Sequence, residues 1–92
     1  MIKQFRDKES EQLWQGQRVG RFQALQQQAL RRLDILHAAT SLDDLRLNPG
    51  NHFKALAGDH NGQFSIRINK QWRVCCEWDG NDARNVEITD NH

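Results

Sequence analysis

Two arginines in the second half of the sequence are the first candidates for chemistry, because their predicted positions bring them together. Apolar residues alternate with polar ones on both sides of residue 70, which predicts two antiparallel β-strands joined by a hairpin. Pairing Ile66 with Val74, so that apolar side chains share one sheet face, places Arg67 directly opposite Arg73 on the other face. Directly opposed like charges repel each other, so this pair is expected to bind an anion or to lie near a carboxylate.

A last predicted strand ends close to these cations. The alternating Val86 and Ile88 indicate this strand, and aligning Val86 with Cys76 carries His92 to the level of Lys70. An imidazole exchanges protons near neutral pH and a guanidinium stabilises developing negative charge, so this group could cleave an RNA phosphodiester without a metal. Strict alternation, however, points His92 to the apolar face unless the strand twists, bulges or ends first. The alternative is an ordinary chain end.

The first half of the sequence predicts the helices that cover the sheet. Asp7 can cap a short helix that ends near Gly16, and Ser41 with Asp44 can cap a further helical turn. From Arg21 onwards apolar residues recur at spacings of three and four, which predicts one long helix. These residues are Phe22, Leu25, Ala29, Leu33 and Leu36. The predicted fold class is α+β, an antiparallel-dominated sheet with the amino-terminal helices packed on one face.

The composition restricts the class of protein. The 92 residues, 37% of them hydrophobic and 27% charged, predict one domain over residues 1–92. The net charge of +1 argues against indiscriminate binding of polyanions. No membrane helix or signal peptide is recognisable, so we expect a cytoplasmic protein without membrane contact. The two cysteines are adjacent, which excludes a secreted disulfide scaffold and paired zinc ligands; we expect no metal and no cofactor.

Nearly the whole chain resembles the HigB-type toxins of the RelE superfamily, also known as plasmid-maintenance killer proteins. The resemblance is carried by MIKQFRDK at 1–8, AATSLDDLR at 38–46 with NPGN at 48–51, GD at 58–59 with GQFSIRIN at 62–69, QWRVC at 71–75 and VEITDNH at 86–92. It implies a RelE-like microbial ribonuclease fold and a toxin that cleaves messenger RNA on the ribosome. It also implies a HigA-like helix-turn-helix antitoxin, through which alone the toxin would meet operator DNA.

The resemblance also implies roles for individual residues. Arg73 matches the family's arginine that holds the scissile phosphate, His92 matches the histidine assigned to acid–base chemistry, and Asp90 matches the acid two residues before it. The positions that we expect to contact RNA are Arg67, Lys70, Lys54 and Asn91.

Two departures from the family pattern predict weakened cleavage. Ala57 stands where such toxins commonly have lysine, and Asn91 stands where they commonly have tyrosine. The site therefore lacks one cation for the phosphate and one aromatic platform for a base. Lys54 is near in sequence, but three residues along a strand reverse the face, so it is expected to substitute poorly for a lysine at 57. The alternative is a non-catalytic RelE-fold protein that engages its antitoxin or the ribosome without cutting RNA.

Other polar residues have weaker claims to chemistry. Cys75 could act as a nucleophile with His92 if Arg73 lowered the pKa of its thiol. His52 and His60 lack a third metal ligand at suitable spacing and are expected to be solvated. The glutamines and arginines on the outer face of the long helix are likewise expected to face solvent rather than nucleic acid.

Overall fold

A four-stranded antiparallel sheet, in the order β1-β2-β3-β4, forms the centre of the computed structural model, which describes residues 1–56 and 62–90. The helices are α1 (Lys8–Trp14), α2 (Gln26–Ala38) and α3 (Leu42–Arg46), with 3-10 helices at Gly20–Leu25 and Pro49–Asn51. The strands are β1 (Lys54–Ala55), β2 (Gln63–Arg67), β3 (Trp72–Asp79) and β4 (Asp82–Asp90). Helices α1 and α2 pack against β4, and α2 also packs against β3. The predicted α+β class is confirmed.

The predicted long helix is divided into two segments. A 3-10 helix covers Gly20–Leu25, and α2 begins at Gln26, after Leu25 leaves helical geometry at φ −120° and ψ 10°. Phe22 and Leu25 lie three residues apart, the spacing that stacks side chains in a 3-10 helix, whereas the later apolar residues follow α-helical spacing. All five apolar residues of the predicted stripe are buried, so the buried face was predicted correctly and the single helix was wrong.

The predicted helix boundaries are confirmed by their capping contacts. The Asp7 carboxylate accepts a hydrogen bond from the backbone of Ser10 at 3.1 Å, and Gly16 follows α1 at φ +85°, a conformation that favours glycine. Ser41 and Asp44 form a reciprocal capping box at the start of α3. No helix within 1–56 and 62–90 combines the length and apolarity needed to cross a membrane.

The amino-terminal segment covers the outer edge of β4. The predicted short first strand consists of two parallel bridges, Ile2 to Ala83 and Phe5 to Val86. Beyond them, the backbone N–H of Ile88 donates to the buried hydroxyl of Ser10 at 2.9 Å. An open strand edge would present unpaired backbone groups, so these contacts keep β4 from pairing with another chain.

The pairing of β3 with β4 follows two regular registers, which differ by one residue. Ile88 faces Val74 as predicted, but the pairing shifts between Cys75 and Glu77, so the expected unbroken alignment through Val86 and Cys76 is wrong. Asn85 has φ +52° there, and an extra residue on one strand is the definition of a β-bulge. Asparagine tolerates this left-handed conformation better than most side chains, which explains its place.

The contact between Ser10 and Ile88 should be a measurable part of the stability. Ser10→Ala should lower the free energy of unfolding by about 1–3 kcal/mol, because the Ile88 amide stays buried without an acceptor. Chemical denaturation measures this loss, and hydrogen exchange at Ile88 should accelerate. Ser41→Ala removes the capping hydroxyl of α3 instead, so it should lower the free energy of unfolding without opening the Ile88 hydrogen bond locally. Unaltered exchange at Ile88 in Ser10→Ala would contradict the assignment.

Candidate functional site

The predicted pairing of two arginines is confirmed. Arg67 of β2 lies opposite Arg73 of β3, with Ile66 opposite Val74 on the other face. Lys54 of β1 pairs with Ser65 of β2, so its side chain emerges on the same sheet face as the two arginines. We call this surface the cationic face, defined by Lys54, Arg67 and Arg73. Lys54 therefore belongs to the candidate site. The sequence analysis predicted that Lys54 contacts RNA, but that it substitutes poorly for a lysine at position 57.

Uncharged oxygen atoms hold the Arg73 guanidinium along one edge. Its Nε donates to the Ser65 hydroxyl at 2.8 Å, and its Nη2 donates to the His52 carbonyl at 2.7 Å and to the Ser65 carbonyl at 3.5 Å. Burial lowers the pKa of Arg73; the nearby Cys75 opposes this effect and Arg67 reinforces it. Guanidinium remains charged in proteins, so the face keeps its positive charge at neutral pH.

The other arginine of the pair also bonds to a neutral acceptor. Arg67 donates from Nε to the backbone carbonyl of Asn69 at 3.1 Å. Within the described ranges 1–56 and 62–90, every ion pair of an arginine with a carboxylate involves other arginines, Arg6, Arg21, Arg46 and Arg84. The sequence predicted that the opposed arginines would either lie near a carboxylate or bind an anion. Neither arginine forms an ion pair with a carboxylate in this part of the chain, so a bound anion is the remaining prediction.

The hairpin between β2 and β3 presents Lys70 to solvent. The Asn69 side chain organises it by accepting from the backbone of Gln71 at 2.8 Å and of Trp72 at 2.9 Å. Its amide donates in turn to Gln28 of α2 at 3.2 Å, which ties the hairpin to the helical layer. Lys70 therefore lies on an ordered turn that directly precedes the strand of Arg73.

The structure does not bring Asp90 and Arg73 onto one face. Asp90 pairs with Trp72 at the end of β4, and Thr89 pairs with Arg73, so the carboxylate shares the face of the indole. Gln71 donates to Asp90 Oδ2 at 3.0 Å. The predicted site residues Asn91 and His92, and the departures at Ala57 and Asn91, lie outside the described residues.

The structure argues against Cys75 as a nucleophile, because the pKa of its thiol is raised. Burial raises this pKa most strongly and Glu87 raises it further, while Arg73 and Arg6 act in the opposite direction without prevailing. Thiolate is the nucleophilic form, so a raised pKa disfavours Cys75 as a nucleophile. Cys76 is buried in the core, and burial raises its pKa strongly as well.

The described histidines do not form a metal site. No three His, Cys, Asp or Glu side chains cluster as ligands within residues 1–56 and 62–90, and His60 lies outside these ranges. His37 accepts a hydrogen bond at Nδ1 from the backbone of Ile2 at 3.1 Å, a structural contact. His52 is exposed, as predicted, and contributes its carbonyl oxygen rather than its ring.

Sequence reasoning missed the groups that hold Arg73. Alternation with Phe64 and Ile66 would place Ser65 on the polar, solvated face, yet it is only 1% exposed. The signal was present in the register, because Ser65 lies diagonally across from Arg73 in neighbouring strands. The His52 carbonyl left no such signal, since a backbone oxygen is common to all residues. Its orientation depends on a local conformation, φ +44° at His52, that no side-chain pattern indicated.

Comparison with known proteins identifies similar chains. The model of the HigB-like toxin family, described as the RelE-like toxin of the type II toxin–antitoxin system HigB, matches residues 3–92. Toxin HigB-1 of Vibrio cholerae serotype O1 is 38% identical over 90 residues, which cover 96% of this chain and 95% of that toxin. An uncharacterised protein of Haemophilus influenzae is 36% identical over 58 residues, or 63% of this chain and 57% of that protein.

The charges around Cys75 predict how fast its thiol reacts at different pH values. The midpoint of its alkylation by iodoacetamide should lie above that of a free cysteine, because burial and Glu87 raise the pKa. Glu87→Gln should move the midpoint down and Arg73→Ala should move it up. Tandem mass spectrometry distinguishes Cys75 from the buried Cys76. Arg84→Ala is the control and should move nothing; a midpoint below that of free cysteine would contradict the assignment.

Proposed function

The chain belongs to the HigB-like family of RelE-like toxins of type II toxin–antitoxin systems, and from that premise we propose that it cleaves messenger RNA on the ribosome without a metal ion. The observation that carries the proposal is the cationic face. There Arg73 is fixed in place by neutral oxygens and lies opposite Arg67. A phosphodiester brings the negative charge that would relieve the repulsion between these arginines.

The reaction that fits these residues is attack of an RNA 2′-hydroxyl on the adjacent phosphorus. The new bond joins the 2′-oxygen to phosphorus, and the bond from phosphorus to the 5′-oxygen breaks, leaving a 2′,3′-cyclic phosphate and a 5′-hydroxyl. A base must accept the 2′-hydroxyl proton and an acid must protonate the 5′-oxygen. We assign His92 to one of these proton transfers and Arg73 to the charge that develops on the phosphate. Asp90 lies on the sheet face opposite Arg73 and is given no proton transfer.

Further cations of the site have the role of binding RNA. Arg67 and Lys54 share the cationic face with Arg73, and Lys70 extends the positive charge onto the hairpin. Cations of this kind bind the RNA backbone without reading its sequence. We assign Asn91 to the same RNA contact, where an amide can bond to a base or phosphate but cannot stack as an aromatic ring does.

The departures at Ala57 and Asn91 favour a second candidate function. A toxin that lacks one cation and one stacking platform could bind the ribosome or its antitoxin without cutting RNA. A cleavage assay on translating ribosomes separates the two functions, because only the first releases RNA fragments. Binding without fragments would favour the second candidate.

A toxin of a type II system implies an antitoxin partner. We propose that this partner is a HigA-like helix-turn-helix protein and that the toxin meets operator DNA only through it. The weak net charge of +1 supports this division, because the toxin alone has little general attraction for duplex DNA.

Removing the phosphate-binding cation should abolish most of the activity. Arg73→Ala should lower the single-turnover rate of cleavage on ribosomes by about 10²–10³, the effect of losing one preorganised donor. Arg67→Ala should have a smaller effect, because the proposal gives it binding alone. Arg84→Ala is the matched control, since Arg84 already pairs with Asp79 at the far end of the β3–β4 pair. Equal losses for Arg73→Ala and Arg84→Ala would contradict the proposal.

His92 should be needed for the chemistry and not for the partner. His92→Ala should reduce the cleavage rate at least about 100-fold, because no arginine or lysine can serve as the base near neutral pH. Affinity for the antitoxin and the melting temperature should stay close to those of the parent. A chelator of transition metals, under which ribosomes remain intact, should leave cleavage by the parent unchanged. Activity that survives His92→Ala but is lost on chelation would refute the assignment.

A further inference from the structure

We infer that Ser65 is a positioning residue for Arg73, which it holds in the orientation that binds the scissile phosphate. The inference rests on the proposed function for the role of Arg73, and on the geometry for the role of Ser65. The Ser65 hydroxyl accepts from Arg73 Nε at 2.8 Å, while the His52 carbonyl accepts from Nη2 at 2.7 Å. Two acceptors on one edge fix both the place and the plane of a guanidinium.

The second edge of the guanidinium remains directed away from these acceptors. Among the residues that the structure describes, no acceptor takes a hydrogen bond from Nη1 of Arg73. We assign Nη1, which takes no part in the contacts with Ser65 and His52, to the phosphate oxygen. We call the Ser65 hydroxyl and the His52 carbonyl the tether of Arg73. The tether and the substrate use different N–H groups of this one side chain.

The neutrality of the tether preserves the charge that the substrate needs. Arg84 of β4, in contrast, donates to the Asp79 carboxylate at 3.1 Å. A carboxylate in the place of Ser65 would orient Arg73 equally well, but it would neutralise the guanidinium and compete with phosphate. A hydroxyl and a carbonyl supply orientation alone.

Both acceptors are held by buried neighbours. Ser65 is 1% exposed in β2, between the buried Phe64 and Ile66. His52 follows the fully buried Asn51, whose amide donates to the Leu45 carbonyl at 3.0 Å and whose oxygen accepts from Arg32 at 2.8 Å. These bonds fix the turn that directs the His52 carbonyl to Arg73. The guanidinium is thus anchored to the sheet and to the helical layer at once.

The first test observes the tether without any catalysis. In the parent, the Arg73 Nε–H resonance should exchange slowly with solvent, and in Ser65→Ala its exchange should accelerate at least about tenfold, because the acceptor is lost. The Nε–H of Arg84 is the internal control and should not change. Unchanged exchange at Arg73 in a folded Ser65→Ala protein overturns the inference.

The second test measures what the tether does for cleavage. Ser65→Ala should lower the single-turnover rate on ribosomes about 10- to 100-fold, because misplaced groups lose rate. Affinity for a non-cleavable 2′-O-methyl messenger should fall less than threefold, since the charge remains. Ser65→Thr keeps the hydroxyl and should restore most of the rate. A rate for Ser65→Ala within twofold of the parent overturns the inference.

A double-mutant cycle keeps the test decisive if threonine is not accommodated at the buried position. Arg73→Lys retains the charge but cannot use two acceptors on one edge, so adding Ser65→Ala to it should cost no further rate. An additive loss overturns the inference. If the parent cuts no RNA, the proposed function fails by itself, and the exchange of Arg73 Nε–H still decides whether Ser65 holds the guanidinium.

Discussion

The pairing of Ile66 with Val74 is the constraint on which the site depends. Side chains alternate along a strand, so a register that buries these two residues leaves no choice for their neighbours, and Arg67 must face Arg73. Burying an isoleucine or valine contributes about 1.5–3 kcal/mol. The repulsion between two opposed charges costs only about 0.2–1 kcal/mol. The fold therefore tolerates the cationic pair, and a site for an anion results from core packing.

The helical layer converts this sheet face into a fixed site. The amino-terminal segment and Ser10 cover the edge of β4, so the sheet cannot extend beyond its own strands. Asn51 ties the turn before β1 to both α2 and α3, and Asn69 ties the hairpin of Lys70 to α2. Stability and function are thus coupled at the turns. The Asn51 side chain bonds to Arg32 and Leu45, and a change there should alter the His52 carbonyl that orients Arg73.

Periodic features could be predicted from the sequence, and local conformations could not. The β2–β3 register, the opposed arginines and the buried helix face all follow from repeated spacing over many residues. The bulge at Asn85 and the end of the 3-10 helix at Leu25 depend on single backbone angles, to which a periodic pattern is insensitive. The raised pKa of Cys75 could not be predicted, because the sequence shows its neighbour Arg73, whereas burial and Glu87 act on the thiol only through the fold.

Strand alternation also determines on which sheet face a proton-transfer group such as His92 is expected, relative to Arg73. Asp90 pairs with Trp72, so alternation continued beyond it would place His92 on the face of the indole rather than with Arg73. Inside a sheet, changing face would break ladder hydrogen bonds and bury unpaired backbone groups. Beyond the last pair of a ladder that cost disappears. A group that must act across the faces of a sheet is therefore best placed beyond the last paired residue of a strand, and the proposed mechanism requires this of His92. The same reasoning applies in reverse to Arg73, which must keep one orientation. Arg73 is the second residue of β3, inside the strand, where Ser65 of the neighbouring β2 can hold its guanidinium.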